Sequence, residues 1–468
     1  MLFTDRVFWV FLNLLVLILL ATKRHDHQKA VYLVASYLFY MWWNPAFILL
    51  IVFSTMIDFI VGKKIYRSDH KQTWLLISIA TNLSLLGFFK YFGFFEENLL
   101  LIFRLLGWEP SWTATNVILP VGISFYTFQT MSYSIDIYRG KLKPTESPLD
   151  FAVFVAFFPQ LVAGPIVRAA EFLPQIAEPR KIGLSKQSLT LVVKGLVKKV
   201  IVADNLGYTV DHIFQQPEQF PSIIIWAATI CFSVQIYCDF SGYTDIAIGV
   251  ASFLGFQFPQ NFNRPYFART PSEFWSRWHI TLSTWLRDYL YIPLGGNRLG
   301  NVLTYRNLMI TMLLGGLWHG ASWNFVLWGF LHGCILCLYR LLNVPSQRVQ
   351  GFGAIFEFLI FQWLVLVTWI VFRCQDLGVM SVALHKFLLF DFDFQIANMG
   401  LANARLFSSL LLLSGFVVLH TISYLNGGLE RAADRLPWKM LYALLFPIGI
   451  CFYLLMPTED APFIYFQF

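Results

Sequence analysis

Apolar residues run through this chain in long stretches, separated by short basic clusters. Val7–Thr22 lacks a small-residue cleavage site and precedes Lys23, Arg24 and Lys29. It reads as a retained signal anchor with its amino terminus outside and its carboxyl end in the cytoplasm. Val31–Val61 is too long for one span and is broken at Asn44-Pro45, which predicts a hairpin returning to Lys63, Lys64, Arg67 and Lys71. Thr73–Phe95 then leads out, Gly107–Asn116 is an outer loop, and Val117–Tyr138 returns to Arg139, Lys141 and Lys143. Pro159, Gly164 and Pro165 make Phe151–Val167 a re-entrant or kinked segment.

Arg180, Lys181, Lys186, Lys194, Lys198 and Lys199 mark a cytoplasmic-surface helix entering the membrane. Ile223–Tyr237 and Asp245–Phe256 read as two buried helices separated by Asp239-Phe240-Ser241-Gly242-Tyr243. Phe325–Tyr339, Phe356–Phe372, Leu406–Tyr424 and Met440–Leu455 are further spans. The prediction is an all-α polytopic membrane protein with roughly eleven to thirteen membrane segments. With no internal repeat or linker visible, a single domain, 1–468, is expected, with its functional core at about 117–342.

Composition agrees. Hydrophobic residues make up 57% of the chain and charged ones 13%, against about a quarter charged in a soluble domain. The net charge of +7 is explained by orientation, so it does not imply nucleic acid. Six cysteines in or beside apolar runs imply neither a disulfide framework nor a metal site.

One ionisable group stands out. His319 lies in Gly315-Gly316-Leu317-Trp318-His319-Gly320, within a stretch free of charge from Asn307 to Tyr339. It lies thirteen positions after Arg306. At about 1.5 Å per residue that is roughly 20 Å of helix, near the middle of a ~30 Å hydrocarbon core. The chain must tilt, break or turn before Arg340, with Gly315, Gly316 and Gly320 as the places where it can, and His319 is expected to face a cavity. Upstream, Ser272–Tyr291 places Ser276, His279, Ser283 and Arg287 on one face of an amphipathic helix. Arg264, Arg269, Arg277, Arg298 and Arg306 put this region on the cytoplasmic side. His332, Asp239 and Asp245 have structural readings beside functional ones, as packing groups and a helix cap.

The run from Arg277 to Asn297, with Leu317-Trp318-His319-Gly320, resembles the membrane-bound O-acyltransferases, and most closely their bacterial alginate O-acetyltransferase branch. Pro120–Tyr126, Ile135–Gly140, Ala163–Ile166, Asp239–Asp245 and the ending Phe463–Phe468 are similar too. The resemblance implies a helical ring around a thin centre, with His319 at the family's catalytic histidine and His279 at its second polar position. It implies transfer of an acyl group from a thioester to a hydroxyl. It also implies no tightly bound cofactor, with acetyl-CoA or another acetyl thioester expected as the donor.

A neutral imidazole suits the general base of that reaction, which makes His319 the candidate; His279 is expected to polarise the carbonyl or fix the donor. Arg277, Arg287, Asp288, Trp318 and Asp239 are candidate substrate-binding residues. Expected partners are the lipid bilayer, a periplasmic acetyltransferase or esterase-like protein and a polysaccharide synthesis and export complex, at a bacterial inner membrane. A D-alanyl transferase of the same family is an alternative. So is a transporter or scaffold subunit, although a transporter predicts paired intramembrane charges and repeats, neither of which the sequence displays.

Overall fold

The computed structural model describes residues 1–115, 117–344, 351–393, 403–456 and 463–464. Asn116 and the last four residues of the similar ending, 465–468, lie outside them. Every regular element among the described residues is helical. The chain divides into two compact units, 1–184 with 250–259, and 185–249 with 260–468.

The first unit holds α1 (Arg6–Ala21), α2 (His25–Met41), α3 (Ile48–Arg67), α4 (Lys71–Leu86), α5 (Phe92–Leu105), α6 (Ile123–Tyr138), α7 (Pro148–Ala156), α8 (Phe158–Leu161) and α9 (Ala169–Ala177). The predicted break at Asn44-Pro45 is present: the Asn44 side chain accepts from Ala46 N–H, and Pro45 opens a short 3-10 turn before α3. The predicted interruption after Phe151 is also present, as two short helices that stop at Ala156 and Leu161. Polar groups lock α3, α4 and α6 together. Asp58 is fully buried and accepts from Ser78 Oγ (2.5 Å), Asn82 Nδ2 (2.8 Å) and Ser134 Oγ (3.3 Å). In lipid, such hydrogen bonds hold helices that apolar faces alone would not select.

The second unit holds α10 (Lys186–Leu196), α11 (Asp204–Gln215), α12 (Ser222–Phe253, whose last turn belongs to the first unit), α13 (Pro271–Trp275), α14 (Ile280–Leu286), α15 (Asn301–His319), α16 (Trp323–Leu341), α17 (Phe352–Arg373), α18 (Leu377–Leu388), α19 (Asn403–Leu425), α20 (Leu429–Arg435) and α21 (Trp438–Leu455). Among the described residues, seven continuous helical stretches are long and apolar enough to cross a membrane. Shorter helices make up the rest.

Three expectations are corrected here. First, α12 runs unbroken through Asp239–Tyr243. The Asp, Ser and Gly there suggest a turn, but ion pairs satisfy the carboxylates inside the helix. Lys199 bonds Asp239 (2.6 Å) and Asp204 (2.7 Å), Lys198 bonds Asp245 (2.7 Å), and Lys194 bridges Asp245 (3.2 Å) and Glu430. A π-helical stretch, Val197–Ala203, follows α10 and lets consecutive Lys198 and Lys199 both reach acidic partners. The paired intramembrane charges that the sequence does not display are therefore present, and much of the basic run ending at Lys199 is compensated internally.

Second, Ser272–Tyr291 is not one amphipathic helix. α13 ends at Trp275, His279 has φ 41°, and α14 begins at Ile280. A left-handed residue cannot continue a right-handed helix, so the 3.6-residue register linking Ser276 to Arg287 is lost at His279.

Third, of the three glycines named, Gly315 and Gly316 lie inside an unbroken α15, and the chain turns at Gly320, one of the expected places. The glycines serve packing instead. A Cβ on Gly316 would lie 2.2 Å from Phe325 O, and one on Gly329 2.3 Å from Met312 O. These contacts close α15 and α16 into a tight hairpin.

Candidate active site

α15 carries His319 at its last position, about 28 Å from the helix start at 1.5 Å per residue. The side chain is 5% exposed and is enclosed by aromatic edges: Trp318, Trp328 and Phe372 lie with ring centroids 5.2, 5.0 and 5.4 Å away, all nearly perpendicular. Phe372 comes from the end of α17, which Asn324 at the start of α16 holds through Phe372 O (3.2 Å). A cleft of about 520 Å³ lies at the opposite end of the α15–α16 hairpin, lined by Asn301, Tyr305, Tyr339 and Arg340 among others.

His279 is fully buried and reaches the same neighbourhood through Trp318, whose ring lies 5.6 Å away. Trp318 thus packs against both histidines. Phe240 of α12 meets His279 edge-on at 4.7 Å, and Phe262 stacks at 6.2 Å. The backbone that presents His279 is pinned by Ile280 N–H to Asn261 O (2.8 Å) and Asn263 N–H to Arg277 O (2.8 Å). Asn261 Oδ1 lies 3.1 Å from His279 Nδ1 and accepts from Thr281 N (3.1 Å) and Thr281 Oγ1 (2.9 Å).

The other candidates fall in several places. Asp239 precedes Phe240, but its carboxylate is engaged by Lys199 and by Ile464 N–H (2.8 Å). Arg277 pairs with Glu273 of α13 (2.7 Å). Arg287 pairs with Asp288 (2.7 Å) in the π-helical stretch after α14. His332 sits in an aromatic box of Phe274, Trp275 and Trp328, one ring removed from His319. Among the described residues, no three His, Cys, Asp or Glu side chains are grouped as metal ligands.

Asn261, Phe240, Trp328 and Phe372 escaped the sequence reading. Asn261 belongs to a Pro259-Gln260-Asn261-Phe262-Asn263 stretch with no periodicity, and its importance arises only from pairing with a segment eighteen residues away.

Two buried imidazoles packed against one indole fit a site that moves a proton out of contact with water. Residues 145–361, which include both histidines, match the family described as membrane-bound O-acyltransferase. The chain is 38% identical over its full length to the probable alginate O-acetylase AlgI of Pseudomonas putida, also covered in full. The chain belongs to the membrane-bound O-acyltransferase family. It is 42% identical to the probable alginate O-acetylase AlgI of Pseudomonas aeruginosa, over 75% of this chain and 68% of that one. It is 38% identical to the peptidoglycan O-acetyltransferase of Helicobacter pylori, over 73% and 70%. Family membership makes the protein a multi-pass membrane O-acyltransferase.

Proposed function

We propose that the protein is an O-acetyltransferase that takes an acetyl group from a cytoplasmic thioester, acetyl-CoA or another acetyl thioester, and delivers it across the membrane for O-acetylation of a secreted exopolysaccharide of the alginate or cellulose type. The observation that carries this reading is the pair of buried histidines around Trp318 in a chain aligned end to end with an alginate O-acetylase. His319 acts as general base: it takes the proton of the attacking hydroxyl as the new C–O bond forms. The C–S bond then breaks, and the His319 imidazolium returns that proton to the leaving thiolate. The aromatic enclosure of His319 excludes water that would hydrolyse the thioester.

The acceptor is the polysaccharide itself or a periplasmic acetyltransferase or esterase-like partner that completes the transfer within an export complex. In this reading both units form one catalytic domain in the inner membrane, with the amino terminus periplasmic. The acetyl reading is preferred to D-alanyl transfer because the teichoic acid D-alanyltransferase of Bacillus subtilis matches at only 26% identity over 52% of the chain. Buried ion pairs remove one argument against a transporter, so the family match, rather than charge counting, favours the enzyme.

The test is the ester-linked acetyl content of polysaccharide from cells making His319→Ala at the parental membrane level. The expected loss is about 10²- to 10⁴-fold in transfer. Undiminished acetylation would sink the assignment of His319 as base.

A further inference from the structure

The geometry points to Asn261 as the residue that fixes the tautomer of His279. An amide side chain can be turned either way, so its orientation must come from a neighbour whose role is unambiguous. Thr281 supplies one. A backbone N–H can only donate, and Thr281 N lies 3.1 Å from the Asn261 side-chain atom in question, so that atom is the oxygen. The same oxygen lies 3.1 Å from His279 Nδ1. An oxygen without a hydrogen can only accept, so Nδ1 carries the proton.

The neutral ring then has its lone pair at Nε2. His279 is therefore an acceptor at Nε2, which of its two expected roles favours fixing the donor over polarising a thioester carbonyl. In the active site it accepts from a substrate hydroxyl or amide N–H, a role that rests on the acetyl-transfer reading. The tautomer itself does not.

The surroundings make this hold rigid. Asn261 is 1% exposed and His279 is 0% exposed. The Ile280 N–H to Asn261 O bond fixes the two backbones in register. The left-handed φ of 41° at His279 turns the chain so that the ring faces Asn261 while α14 starts afresh. A conformation of this kind persists only where its surroundings over-determine it. Orientation of an imidazole by an oxygen on its other nitrogen is the same logic that positions histidines in metal sites and catalytic triads.

The test uses full-length protein, labelled with 15N-histidine in lipid nanodiscs, near pH 7.5. The His279 signals are identified by their absence in His279→Gln. Native protein is expected to show a protonated Nδ1 and an unprotonated Nε2. Asn261→Leu is expected to give a mixture of tautomers and a kcat lowered about 10- to 100-fold. Asn261→Asp, which keeps an oxygen facing Nδ1, is expected to retain the tautomer and most of the transfer. A native spectrum with Nε2 protonated overturns the proposal, whether or not the leucine variant folds. So does an Asn261→Leu spectrum identical to the native one. If the native protein transfers no acetyl, the acetyl-transfer reading fails while the spectrum still decides the role of Asn261.

Discussion

Two continuous apolar helical stretches of similar length have opposite fates. Lys71–Leu105, which joins α4 and α5 through a π-helical turn, spans 35 residues, and α12 spans 32. Only 17% of the most apolar window is buried in the first, against 72% in the second. Hydrophobicity does not separate them, because lipid is as apolar as leucine and gives an apolar face no reason to leave it. Polar and small residues do. Lys71–Leu105 turns Ser78 and Asn82 inward towards Asp58 and leaves Leu76, Leu83, Phe88, Phe95 and Leu105 exposed. α12 carries two carboxylates paired to lysines, and glycines that admit α10. A Cβ on Gly242 would lie 2.8 Å from Gly195 O, and one on Gly249 2.9 Å from Ser188 O.

The sharpest way to break this contrast is to unpair the buried charges. Lys199→Met leaves Asp239 and Asp204 without their cation in a low-dielectric interior, which typically costs about 3–5 kcal/mol. Arg104→Gln in α5 removes an exposed contact of 3.9 Å with Glu109 and is expected to change stability by less than about 1 kcal/mol. Thermal unfolding in detergent compares them; equal shifts would show that the α12 pair carries no special weight. A smaller contrast uses glycine. Gly242→Ala drives a methyl into the α10 backbone and should cost about 1–3 kcal/mol. Gly87→Ala meets nothing within 4 Å, so relief of glycine's backbone entropy is expected to leave stability unchanged or raise it by up to about 1 kcal/mol.

The same contrast explains what the sequence could reveal. Apolar runs and basic clusters placed the helices around Asn44-Pro45, because length and turn residues suffice for that, and named Gly320 among the places where the chain could turn after His319. They failed at Asp239–Tyr243, where local cues say turn while Lys194, Lys198 and Lys199, some forty to fifty residues earlier in the chain, pair with carboxylates inside an unbroken helix. His319 was legible because an ionisable group in an uncharged stretch is conspicuous. His279 was singled out as a candidate, but its setting was misread, because periodicity assumes a helix and a left-handed residue leaves no trace in composition. Asn261 had no signal, since its role depends entirely on the segment it faces.

The smallest expected effect concerns charge at the edge of the first unit. Glu146, in the loop between α6 and α7, contacts Lys63 through Oε2 (2.8 Å) and Arg67 through Oε1 (2.8 Å). The hydrogen bond from Lys63, with the charges of Lys63 and Arg67, holds its carboxyl below the usual 4.5. A depressed carboxylate stabilises the fold while it is ionised. Its contribution is complete above the unfolded value near 4.5 and is lost as pH falls through the lower folded value. Wild type and Glu146→Gln should therefore differ in unfolding temperature at pH 7, converge below about pH 4.5 and coincide in stronger acid. Because this pair is solvated, 0.5 M salt should shrink the difference at pH 7, whereas the loss caused by Lys199→Met should persist in the same salt. A Glu146 effect that ignores both salt and pH would show that packing, not charge, holds that loop, and would remove the electrostatic distinction between the solvated edge and the α12 interior.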